Sequence, residues 1–136
     1  TGSSGMLGHD LQKVLKDKHE LILTTSKTLD ITDKENTIDF IVKNKPDVVI
    51  NSAAYTDVDG CETNQDLAYA VNGEGVRNLA LGCKEADCPL VHVSTDYVFD
   101  GTKTTPLIEK DALGPKCAYG KTKLEGEEFV KKLTDY

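Results

Sequence analysis

Two short runs rich in β-branched residues, "VVIN" at Val48 to Asn51 and "LVHVS" at Leu90 to Ser94, each lie between stretches with helical spacing. This alternation restricts the fold more than any other feature. Met6 to Lys16 carries Leu7, Leu11, Val14 and Leu15 on one helical face. "ELILTT" at Glu20 to Thr25 reads as a short buried strand. "TDKE" at Thr32 to Glu35 has the form of a capping box, and Ile38, Ile41 and Val42 line one face of the helix behind it. Pro46 and Asp47 end that helix. A long helix spans about Gln65 to Glu85, with Leu67, Val71, Leu79 and Cys83 facing inward. Gly73 and Gly75 weaken its middle and predict a bend. A loop with Gly101, Pro106, Gly114 and Pro115 leads to a last helix from about Tyr119. Helix and strand alternating over short connections predict an α/β fold with a doubly wound parallel sheet, residues 1–136 forming one domain. Such sheets bind ligands beyond the carboxyl ends of their strands, so the residues after each strand are the candidates.

Composition removes several function classes. Apolar residues make up 38% and charged residues 29%, which excludes a disordered chain, and no apolar run approaches the roughly 18 residues of a membrane span. A net charge of −7 argues against nucleic acid or an anionic membrane as partner. It still allows an anionic ligand held by backbone amides and a few lysines. Cys61, Cys83, Cys88 and Cys117 make no C-x-x-C pair, and His9, His19 and His92 have no metal-ligand spacing with them. They read as reduced thiols of a cytoplasmic protein with no visible leader.

Three strand-end or turn segments are candidates. In "TGSSGMLG", Gly2, Gly5 and Gly8 lead into the first helix; glycines let a backbone approach a pyrophosphate, and the helix N-terminus adds amide donors. A plain turn, or a leader foreign to the protein, would also explain them. After "VVIN" come Ala53 and Ala54, small enough for a ligand to lie against the backbone; tight loop packing is the alternative, and Asp57, Asp59 and Glu62 nearby read as solvated. "STDYVFDG" at Ser94 to Gly101 puts two hydroxyls at a strand end, as substrate binding or simple capping requires.

The fourth candidate is Tyr119 and Lys123 in "CAYGKTKLEGE". With five tyrosines and fifteen lysines in 136 residues, about half a Y-x-x-x-K is expected by chance. Residues i and i+4 share a helix face about 6 Å apart. At an effective dielectric of ~20, a lysine cation there favours the phenolate by about 2.8 kcal/mol, or roughly two pKa units. That moves a tyrosine toward the range of a general acid–base. Lys121 points elsewhere. The order of the four features is more informative than any one of them.

With "GSSGMLG", "DVVINSAAYTDVDGCE", "LVHVSTDYVFDG" and "AYGKTKLEGE", the chain resembles the extended branch of the short-chain dehydrogenase/reductase superfamily, and within it the dTDP-4-dehydrorhamnose reductase family. The resemblance implies a Rossmann-like domain that binds NAD(P). It implies reduction of the 4-keto group of a dTDP-6-deoxy-hexulose, a small-molecule substrate, to dTDP-L-rhamnose. It assigns Thr95 to the substrate carbonyl, Tyr119 to the proton transfer, and Lys123 to the nicotinamide ribose and the tyrosine pKa. Gly2, Gly5, Met6 and Leu7, with Gly8, would border the pyrophosphate; Asp30 and Ile31 the adenine; Ala53, Ala54 and Tyr55 the dinucleotide channel. "TTSK" lacks a carboxylate for an NAD ribose and offers Lys27 to a 2′-phosphate, favouring NADPH with NADH possible.

The family's first strand and its sugar-nucleotide domain have no counterpart in these residues, so the resemblance implies a cofactor-binding part, inactive alone. Some relatives form homodimers around magnesium, with one ligand position at Asp10; a homodimer and a metal both stay open. A nucleotide-sugar epimerase or dehydratase retaining NAD, and a silent NADP-binding regulatory subunit, are the other readings. An unrelated doubly wound receiver leaves Tyr119 and Lys123 unexplained.

Overall fold

The computed structural model describes residues 1–134. Its helices are α1 (Met6–Leu15), α2 (Lys34–Asn44), α3 (Val58–Thr63), α4 (Gln65–Tyr69), α5 (Gly75–Ala86) and α6 (Ala118–Leu133). Strands β1 (Val49–Asn51) and β2 (Leu90–His92) pair in parallel, Val49 opposite Leu90 and Asn51 opposite His92. The connection from β1 to β2 runs through α3, α4 and α5, the crossover a parallel pair requires. Ile31, Ile41, Val49, Leu79, Ala80, Cys83, Cys88 and Leu90 form the main core, where α2 and α5 meet the sheet. All four cysteines are free, three of them buried. Among the described residues no helix is long and apolar enough to cross a membrane.

The sequence places α1, α2, both strands and α6 well, and three details differ. Glu20 to Thr25 forms no strand. Leu21 to Thr24 and Val48 to Ile50 both line a cavity of about 440 Å³. Among the described residues the backbone link from this segment to the glycine turn is Ser3 N–H to Thr24 O at 3.0 Å, and one bond is no ladder. The α2 cap is Asp33, whose carboxylate accepts from Asn36 N–H at 3.1 Å. Thr32 lies one residue before the cap, its hydroxyl donating to Asp30. The long helix does bend where glycines weaken it, through a π-turn at Ala70–Glu74. The wider turn shifts the helical phase, so Ala68 is buried while Leu67 is 49% exposed.

This phase shift has a measurable consequence. Leu79→Ala removes a fully buried side chain and lowers unfolding stability by about 2–5 kcal/mol. Leu67→Ala changes it by less than about 0.5 kcal/mol. Urea denaturation of both variants checks the pair, and equal losses would refute the assignment of faces.

Candidate active site

The strand ends, the glycine turn and the start of α6 are joined by side-chain hydrogen bonds. Asn51, at the end of β1, is fully buried. Its Oδ1 accepts from the Thr1 hydroxyl at 2.7 Å and from Ala53 N–H at 3.0 Å, and its Nδ2 lies 3.0 Å from His92 Nδ1. The Ser52 hydroxyl donates to Thr1 O at 2.8 Å. Gly2, at φ +71°, passes so close that a Cβ there would stand 2.5 Å from Ala53 N. The glycine turn is therefore seated on the backbone just after β1.

The turn fits a phosphate-bearing ligand. Gly5 is the N-cap of α1 and supplies no side-chain cap, and the first turn holds no acidic residue. Met6 and Leu7 are exposed. Their amides are the free donors that an anion at a helix N-terminus uses. A Cβ at Gly8 would stand 2.2 Å from Gly2 O, so the tight turn also depends on that glycine.

After β2, Thr95 opens a 3₁₀ turn, Asp96–Val98, its hydroxyl accepting from Tyr97 N–H at 3.3 Å. The same hydroxyl donates to Asp96 Oδ1 at 3.3 Å and lies close enough to the Tyr119 phenol to act on its pKa. Tyr97 and Tyr119 meet edge to face, centroids 5.6 Å apart. Burial, above all, raises the phenol pKa of Tyr119; the Thr95 hydroxyl lowers it, and Cys61, Asp96 and Tyr97 raise it further. Lys123 is not among these influences, which corrects the lowering expected from the i, i+4 spacing. Its amine turns toward β2, donating to Val93 O at 2.6 Å and lying 3.3 Å from His92 Nε2. Burial brings Lys123 down to about 8, with Glu127 acting upward, and burial followed by Lys123 brings His92 down to about 4. Lys121 is exposed, as its position between the pair predicts.

Two supports were not legible. Asn72, in the π-turn, is fully buried; it accepts from Tyr55 N–H at 2.9 Å and donates to Tyr55 O at 3.0 Å and to Thr122 Oγ1 at 3.3 Å. It pins Tyr55 and α6 together. Glu62, expected to be solvated, accepts from Ala118 N–H at 2.7 Å and so caps the helix that carries Tyr119. Asp57 is likewise a cap, accepting from Gly60 N–H. Ala53, Ala54 and Tyr55 follow β1 and are half-buried. Asp30 is exposed and holds Thr32, whereas the Ile31 side chain lies in the core and is not free to touch a ligand. Lys27 is exposed at the Thr25–Thr28 turn. Asp10 pairs with Lys13, and no group of three or more His, Cys, Asp or Glu side chains gathers among the described residues.

A parallel sheet whose strand ends meet a glycine turn places the protein in the Rossmann-like α/β class. Its family is narrower: the RmlD substrate binding domain family matches residues 1–135, and the chain belongs to it. A dTDP-4-dehydrorhamnose reductase of Aggregatibacter actinomycetemcomitans is 43% identical over 136 residues, which are 98% of this chain and 46% of that protein. The crystal structure of a dTDP-4-dehydrorhamnose reductase from Clostridium acetobutylicum is 49% identical, with a TM-score of 0.96 over 98% of this chain and 48% of its own. That of a Bacillus anthracis dTDP-4-dehydrorhamnose reductase in complex with NADP is 37% identical, with a TM-score of 0.95 over 98% and 48%. The chain thus spans about half the length of the relatives it matches.

The Glu62 cap gives a second test. Glu62→Ala costs about 1 kcal/mol and speeds hydrogen exchange at the Ala118 amide, read by NMR. Unchanged exchange there would show that the contact does not hold α6.

Proposed function

We propose that this chain is the dinucleotide-binding and catalytic part of an NADPH-dependent reductase. The enzyme reduces the 4-keto group of a dTDP-6-deoxy-hexulose and yields dTDP-L-rhamnose, with NADH as a poorer substitute. The observation that carries this reading is that Tyr119 packs edge to face on Tyr97 in the turn that Thr95 opens just after β2, which brings a hydroxyl near a phenol that burial keeps protonated at neutral pH. A nicotinamide cofactor supplies the hydride when bound. Tyr119 keeps its proton until oxyanion charge develops on the substrate, then gives it up. Thr95 donates a hydrogen bond to the same oxygen, which strengthens as that charge grows.

The remaining residues hold the cofactor. Amides of Met6 and Leu7, with Gly5 at the N-cap and Gly2 beside Ala53, receive the pyrophosphate. Asp30 and the Ile31 backbone border the adenine, and Lys27 meets a 2′-phosphate. Ala53, Ala54 and Tyr55 form the channel wall, and Lys123 takes the nicotinamide ribose hydroxyls. The Bacillus anthracis relative with NADP supports this cofactor choice. These residues form one NAD(P)-binding domain, 1–136, of a cytoplasmic enzyme. Recognition of the sugar and any homodimer contact draw on other parts of the protein, and the chain by itself turns over little keto-sugar.

The test is NADPH oxidation by the protein that contains these residues, with dTDP-4-keto-6-deoxy-L-lyxo-hexulose as substrate. Tyr119→Phe lowers kcat by about 10²–10⁴-fold. Thr95→Val lowers it by about 10²-fold. Oxidation by neither wild type nor variant, with cofactor bound, would overturn the reductase.

A further inference from the structure

We propose that Asn51 and His92 hold Lys123 in its buried seat as a neutral amine, so that the lysine becomes an ammonium only by leaving His92. The inference follows from donors and acceptors. A backbone N–H can only donate, so the atom of Asn51 that faces Ala53 N–H at 3.0 Å is the carbonyl oxygen, which also receives the Thr1 hydroxyl at 2.7 Å. The amide nitrogen of Asn51 must then be the atom 3.0 Å from His92 Nδ1. An amide nitrogen only donates, so Nδ1 accepts. A neutral imidazole has one donor and one acceptor, and the proton therefore sits on Nε2.

Nε2 is the atom that faces Lys123 Nζ, 3.3 Å away. An ammonium has three donors and no acceptor, and would set N–H against N–H. A neutral amine fits: its lone pair accepts from Nε2–H while its own N–H donates to Val93 O at 2.6 Å. An imidazolium is excluded because Nδ1 would carry a proton against the Asn51 amide. Turning the Asn51 amide over would set its NH₂ against Ala53 N–H. Each alternative costs a buried, opposed pair of donors.

The charged and titratable groups that act on this seat are few. His92 faces Lys123 from β2, and Glu127 lies one turn along α6. The Glu127 carboxylate is engaged by the Ser94 hydroxyl and, at 3.7 Å, by Lys131. Lys123 is 2% exposed, so solvent does not screen the conflict. Asn51 and His92 are positioning residues in this scheme, since neither is placed at the reacting atoms. The importance of the seat for catalysis rests on the proposed role of Lys123. The proton state itself does not, and its test needs no cofactor or substrate.

The experiment is NMR on the free protein. Ring nitrogen shifts of His92 report the tautomer, and the side-chain nitrogen of Lys123 reports its titration. The expected result is a neutral His92 with its proton on Nε2, and Lys123 titrating at least about two units below the ordinary 10.4, the neutral amine filling the seat once the pH passes that value. Asn51→Asp offers an acceptor to Nδ1, moves the proton there, and frees Nε2 to accept from an ammonium. Lys123 then titrates about one unit or more higher. In the double variant Asn51→Asp, His92→Phe, the added charge remains but most of that rise is lost relative to His92→Phe alone. A wild-type proton on Nδ1, an ordinary Lys123 titration, or a switched tautomer with no change at Lys123 would each overturn the proposal. If Asn51→Asp fails to fold, the two wild-type readouts decide. A failed inference would leave reductase activity standing, and absent activity would leave the tautomer standing.

Discussion

One buried amide, that of Asn51, joins the pieces from which the site is made. Its three hydrogen bonds reach the first residue of the glycine turn, the backbone just after β1, and the imidazole at the end of β2. A fully buried amide must satisfy its polar atoms, because each one left unpaired costs about 1–3 kcal/mol. The three segments are therefore placed together or not at all. Sheet register, with Asn51 opposite His92, and the position of the glycine turn become one requirement. Hydrophobic packing cannot provide this, since it is non-directional and tolerates small slips.

A second polar hub does for α6 what Asn51 does for the sheet. Asn72 bonds both backbone groups of Tyr55 and the Thr122 hydroxyl. It lies in the π-turn, whose backbone α6 approaches so closely that a Cβ at Gly126 would be 2.4 Å from Asn72 O. The π-turn thus has a use: it brings the side chain and backbone carbonyl of Asn72 against the helix that carries Tyr119 and Lys123. Glu62 fixes the other end of the contact at the first turn of α6. The tyrosine and lysine gain their geometry from partners 30 to 56 positions away in sequence.

That distance explains what could and could not be read from the residues. Periodicity revealed α1 and α2 and β-branched runs revealed both strands, because these are local patterns, although the face read for α1 leaves Leu7 and Val14 exposed. Capping chemistry was visible but misplaced by one residue: Thr32 and Asp33 are both cap formers, and the bond that distinguishes them, Asn36 N–H to the Asp33 carboxylate, appears only in the folded helix. Leu67 was set inward because a uniform 3.6-residue repeat does not include a π-turn. Gly73 and Gly75 announced a bend without its phase. Glu20 to Thr25 has strand composition, yet a strand is a relation between two chains of backbone, and one bond to the glycine turn gives that segment no ladder. The roles of Asn51, Asn72 and Glu62 carried no local signal at all.

The tyrosine–lysine pair shows how spacing misleads even when the residues are well chosen. An i, i+4 separation fixes which side of the helix both occupy, but not where a four-carbon stem sends its charge. Here it sends the amine to β2, and burial of the phenol outweighs any help from it. The consequence bears on how an acidic chain, net charge −7, can receive a phosphate-rich ligand. With Lys123 drawn inward, the positive end offered to an anion is the uncapped N-terminus of α1, where the donors are backbone N–H groups. Such donors need no lysine, do not titrate, and are aimed by the fold itself. In the proposed site, side-chain charge is then left to discriminate rather than attract.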